Sequence, residues 1–114
     1  MSNPYEERDK LIRELDARWW IYEDYLRSVF FSYIRQAVFD RDGGNCRICR
    51  KSASDVHHFR YDRATMLGET LDHLVSLCGD CHHDVEFKDG KRVWVQNTGE
   101  RFNELKKHLN QGEN

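Results

Sequence analysis

All four cysteines and five of the six histidines fall within 41 residues, Cys46 to Glu86. The cysteines form two Cys-x-x-Cys pairs, Cys46/Cys49 and Cys78/Cys81. His57-His58 lies between the pairs, His73 just precedes the second, and His82-His83 follow it. Two such pairs read as a structural zinc site, because four thiolates at tetrahedral corners suit that ion. The gap from Cys49 to Cys78 is 28 residues, longer than the roughly 15–20 of a compact four-cysteine ribbon. A disulfide framework would need an oxidising compartment, and no signal peptide precedes the domain. A redox pair would need only one Cys-x-x-Cys and a βαβ pattern, which is not seen.

The histidines allow a second site. Val56-His57-His58-Phe59 reads as a short strand, whose alternation sends His57 and His58 to opposite faces. One can bind a metal while the other handles a proton, since imidazole has both a lone pair and a pKa near neutrality. A helix from Cys81 to Phe87 puts His82 and Glu86 on one face at i, i+4, a spacing that can grip one cation. The spacing therefore permits His57 and His82 with Glu86 or His73 as ligands, and His58 unligated beside them.

Other elements must hold these groups. Asn3-Pro4 before Glu6-Glu7 starts a helix. Apolar residues then recur at helical spacing from Leu11 to Val38, with no Gly or Pro between residues 5 and 42. One long helix or two meeting at a bend fits that stretch. Its wide apolar stripe packs on the rest of the chain or forms a homodimer or partner surface; packing is the favoured reading. Asp42-Gly43-Gly44-Asn45 turns the chain into the first cysteine pair. Arg60 to Thr70 reads as loop, Leu74–Leu77 as a second strand, Asp89-Gly90 as a turn and Arg92–Val95 as another strand. Asn97-Thr98-Gly99 caps a last helix, and the tail from Asn110 is polar. Trp94 is expected in the core, His83 and His108 at the surface, and Tyr61 in either packing or function. Lys88, Lys91 and Arg92 read as a solvated turn.

The expected class is α+β: a small ββα unit pinned by zinc, with a helical extension over residues 1–34 and a C-terminal helix within 35–114. A unit this small leans on its metal for stability. The net charge of −2 does not suggest a general nucleic-acid binder, but residues 35–63 hold seven Lys/Arg against four Asp. No apolar run approaches a membrane span, and without a targeting segment a cytoplasmic location is expected.

The order Cys46/Cys49, His57-His58-Phe59-Arg60-Tyr61, Leu67-Gly68-Glu69 and Leu74-Val75-Ser76-Leu77-Cys78-Gly79-Asp80-Cys81-His82 resembles the HNH endonuclease family in its zinc-bound treble-clef form. The resemblance covers about residues 35–87, with the motif proper at 46–87. It implies metal-dependent hydrolysis of DNA phosphodiesters, duplex DNA before RNA, in a bacterial, phage or mobile-element setting. His58 would activate water. His57 and His82 would hold a catalytic divalent ion, Mg²⁺ or Mn²⁺ before Ni²⁺ or Zn²⁺. His73 stands where the family commonly has Asn, as a base-orienting or ligating group. Glu86 stands where the subset often has His and would serve as a carboxylate ligand. Arg60 or Arg63 would contact a phosphate. The alternative is a non-catalytic zinc module of the same scaffold, binding nucleic acid or protein.

Overall fold

The computed structural model describes residues 3–112. Three helices come first: α1 (Pro4–Leu15), α2 (Tyr22–Leu26) and α3 (Val29–Arg41). The N-terminal stretch is thus divided twice, and capping residues mark the divisions. Asp16 leaves helical geometry, and its side chain accepts from the Arg18 backbone N–H at 2.8 Å. Asp24 accepts from the Trp20 and Ile21 N–H groups ahead of α2. Ser28 accepts from Phe31 N–H to start α3. α3 runs through residue 34, so the expected boundary of the extension falls inside a helix.

The centre is an antiparallel hairpin of β1 (Asp55–His58) and β2 (Leu74–Leu77), with His57 opposite Val75 and His58 opposite Leu74. The stretch between them, expected as loop, contains a short helix, α4 (Arg63–Met66), capped by Asp62. α5 (Gly79–Glu86) follows β2 directly, then a small hairpin of β3 (Phe87–Lys88) and β4 (Lys91–Arg92). The expected strand Arg92–Val95 is cut short: a 3-10 turn, Val95–Asn97, feeds α6 (Thr98–Gly112). Trp94 is 52% exposed and not in the core, because the chain leaves the hairpin before reaching it.

The hairpin is covered on both faces, which is why all of Leu74–Leu77 is buried. Strand alternation divides it. Val56 and Leu74 join Ile12, Tyr25, Phe31, Ile34, Val38 and Met66 in one core cluster. Val75 and Leu77 join Cys46, Ile48 and Val85 in the other, with Phe59, Phe102 and Leu105 at its edge. The N-terminal helices therefore pack on the hairpin, as favoured. Trp20, Val29 and Tyr33 remain exposed.

Asp42 ties the layers together. Its carboxylate meets Arg41 at 2.8 Å, Arg47 at 3.0 Å and the Ser76 N–H at 3.0 Å. Gly68, at φ +73°, lets α4 meet α3: a Cβ there would lie 2.9 Å from Ile34 Cγ1. Among the described residues no helix is long and apolar enough to cross a membrane.

Candidate metal centre

The two cysteine pairs converge. Their four sulfurs lie within 4.8 Å of one another, and Cys49 and Cys78 Sγ are 3.6 Å apart. All four are free thiols. Ile48 and Cys49 N–H groups point at Cys46 Sγ, and Cys81 N–H points at Cys78 Sγ. Burial opposes ionisation of Cys46, but the N–H groups outweigh it and bring that thiol down to about 7. Burial and the neighbouring sulfurs push Cys81 up. Four sulfurs this close resist joint ionisation unless a cation lies among them. The cluster is close enough to hold a metal ion, and an all-thiolate set fits structural zinc.

A second trio, His57, His82 and Glu86, also brings its donor atoms within 4.8 Å. The i, i+4 spacing on α5 puts His82 Nε2 2.9 Å from Glu86 Oε1. β1 puts His57 Nδ1 3.6 Å from the same oxygen. His57 is held from behind by Thr98, whose Oγ1 lies 3.1 Å from Nε2. That hydroxyl donates its single proton to the Val95 carbonyl at 2.8 Å, so it accepts from His57 Nε2–H. The Nδ1 lone pair is left facing Glu86. His82 is held likewise: its Nδ1 lies 2.8 Å from Asp55 Oδ2. A carboxylate behind an imidazole fixes the ring's orientation for a metal.

Electrostatics follow from this packing. His57 is 3% exposed, and burial lowers its pKa against the pull of Glu86, so it is neutral. Burial would lower His82 too, but Glu86 and Asp55 raise it. The neighbouring His57 and His82 rings hold Glu86 well below the carboxylate range. A cation bound by this trio would compete with protonation of His82. Two nitrogens and one oxygen suit several divalent ions.

His58 faces the other way. It is 2% exposed, stacked on Phe31 and Tyr61 and met edge-on by Tyr22 and Tyr25. Its Nδ1 lies 2.7 Å from the Tyr22 hydroxyl. Its Nε2 has no hydrogen-bond partner among the described residues. Burial lowers its pKa to about 3, so the ring is neutral.

A cleft of about 340 Å³ is bounded by His57, His58, His82 and Glu86, and by Tyr5, Arg8, Tyr22 and Arg92. Arg8 lies 4.2 Å over the Tyr22 ring. Arg92 comes within 3.7 Å of Glu86 and belongs to the cleft, not to a plain turn. His73 does not reach His58; its Nε2 lies 3.3 Å from Arg60 Nη1, in the loop beyond the hairpin. Arg60 also pairs with Asp62. Neither Arg60 nor Arg63 bounds the cleft. His83 is exposed, as expected.

Sequence reading missed four groups around this cleft. Asp55 was legible, since it sits two residues before His57 on the same strand face. Thr98, Tyr22 and Arg8 carry no local signal, because each arrives from a distant segment. No protein-family model and no curated protein matches the chain.

Proposed function

We propose that the chain is a metal-dependent endonuclease of the HNH type, its hairpin, cysteine pairs and α5 forming a zinc-held treble clef. One observation carries the reading. A neutral imidazole with an unpartnered nitrogen, His58, bounds the same cleft as a trio of metal-ligand type, His57, His82 and Glu86. Hydrolysis of a phosphodiester needs those two groups side by side: a base for water and a cation for the phosphate.

A divalent ion held by the trio, Mg²⁺ or Mn²⁺ before Ni²⁺ or Zn²⁺, would supply charge stabilisation for the phosphate and the leaving oxygen. The protein's own groups do the rest. His58 takes a proton at Nε2 once water is admitted to that buried nitrogen. Thr98 and Asp55 keep His57 and His82 aimed at the trio. Arg8 and Arg92 replace the expected Arg60 and Arg63 as phosphate contacts, since they bound the cleft. Duplex DNA is the expected substrate, through the resemblance described above.

A second reading, a zinc module that binds nucleic acid or protein without cleaving it, draws on the burial of His58 at 2% exposure. Nicking of supercoiled plasmid by zinc-loaded protein separates the two. The endonuclease nicks with Mg²⁺ or Mn²⁺, not with EDTA, and His58→Gln abolishes the cleavage. Folded, zinc-loaded protein that nicks with none of Mg²⁺, Mn²⁺, Ni²⁺ or Zn²⁺ leaves the binding module standing.

A further inference from the structure

A general base must present one lone pair in one direction, and an imidazole has two nitrogens to choose from. The hairpin does not make that choice for His58, because His73 is turned to Arg60. The group that touches His58 comes instead from α2, 36 positions earlier in the chain: the Tyr22 hydroxyl, 2.7 Å from Nδ1. Resting on the endonuclease reading, we propose that Tyr22 is the positioning residue of His58, accepting its Nδ1–H and leaving the Nε2 lone pair for water.

Burial bears on the tautomer. Nε2 is enclosed and unpartnered. A hydrogen on Nε2 would be a buried donor with no acceptor, the rarer and costlier orphan. The hydrogen is placed on Nδ1, where the tyrosine oxygen receives it, and the half-buried Tyr22 turns its own O–H proton towards the cleft it lines. Tyr22 is itself held: Arg8 covers its ring at 4.2 Å, Tyr25 stacks at 5.8 Å, and Asp24 caps the start of α2. When Nε2 takes a proton from water, the Nδ1–H bond to Tyr22 is kept, so the imidazolium is held in the same pose. The N-terminal helices are then part of the site and not only packing for the hairpin.

Tyr22→Phe tests this, since it removes one oxygen and keeps the ring. The full-length, zinc-loaded protein is labelled with ¹⁵N, and the His58 ring signals are identified by their loss in His58→Gln. Wild type shows the Nδ1–H tautomer, and Tyr22→Phe shows a mixture. In plasmid nicking with Mn²⁺, Tyr22→Phe lowers kcat by about tenfold at unchanged KM, a part of the roughly 10²–10⁴ a positioned base contributes. Tyr25→Phe is the control. It loses a different buried hydroxyl, bonded to the Met66 carbonyl at 2.9 Å, so its thermal midpoint falls while the His58 tautomer stays. An Nε2–H tautomer in wild type overturns the proposal, and so does a Tyr22→Phe protein with unchanged tautomer and kcat. A wild type that does not nick removes the endonuclease reading, while the ring spectrum still decides whether Tyr22 sets His58.

Discussion

Cys81 and His82 are neighbours on α5, yet they serve clusters of opposite character. The cysteine cluster offers four donors of one kind, so a tetrahedral ion there has no position left. The histidine cluster offers three donors of two kinds on the wall of a cleft, so an ion there keeps room for water or substrate. Closed sites hold folds, and open sites do chemistry. On the proposed reading, one turn of helix joins a structural role to a reactive one, and each can be perturbed while the other is watched.

The largest expected effect runs from the first cluster into the second. Cys46 is part of a core cluster with Ile48, Val75, Leu77 and Val85, and Cys78 caps the start of α5. If the cysteines hold zinc, its loss removes the tie at the start of α5 and leaves only the Val85 packing and the His82–Asp55 contact to seat that helix, so the His57/His82/Glu86 trio should loosen as well. Cys46→Ser, Cys78→Ser or strong chelation should abolish the cooperative thermal transition and reduce the far-UV helical signal. Zinc binding to comparable small sites supplies about 10–16 kcal/mol of folding energy. The dependence is falsified if a serine variant keeps its thermal midpoint.

The reverse perturbation should leave zinc alone. His58→Gln should cut cleavage by about 10²–10⁴, with zinc content unchanged. Glutamine is the better probe here because His58 fills space among four aromatic rings. His58→Ala would empty that space and cost about 2–4 kcal/mol by the scale of buried large-to-small changes. Retained cleavage in His58→Gln removes His58 as the base.

The two clusters also differ in how far the sequence revealed them. The cysteine cluster is local: each pair is a knuckle whose spacing alone brings two sulfurs together, and the four did converge. His82 and Glu86 are local too, through helical periodicity. His57 joined them because strand alternation turned it towards α5, and the same alternation turned His58 towards α2 and α3. What periodicity does not carry is the far side of each histidine. Thr98 and Tyr22 meet His57 and His58 across 41 and 36 positions, and no spacing rule spans that. The N-terminal divisions were written in Asp16, Asp24 and Ser28, which are capping residues, but the unbroken apolar period hid them. Trp94 was misplaced because a tryptophan beside valines reads as core, whereas the β3–β4 hairpin is too short to carry it inward.

Within the open cluster, Glu86→Gln should weaken Mn²⁺ by about 10–100-fold, the scale on which groups supporting a metal act. The amide keeps the size but loses the charge that His57 and His82 share. Isothermal titration on zinc-loaded protein reads this directly, with zinc content as the internal control. An unchanged Mn²⁺ titration strikes Glu86 from the ligand set and makes the open cluster a hydrogen-bonded network only.

The smallest expected effect probes support and not ligation. Thr98 is 2% exposed, and its hydroxyl links His57 Nε2 to the Val95 carbonyl. Thr98→Val keeps the shape and removes both bonds, leaving a buried N–H without an acceptor. That should cost about 1–3 kcal/mol of stability and free His57 to place its hydrogen on Nδ1, the nitrogen that faces Glu86. Mn²⁺ affinity should fall by about tenfold, while the four sulfurs, which Thr98 does not touch, keep their zinc. Thr98→Ser retains the hydroxyl and should recover the Mn²⁺ affinity even where the lost methyl lowers the thermal midpoint. A valine variant with full Mn²⁺ affinity would mean that His57 needs no acceptor behind it, and that the open cluster is held by α5 alone.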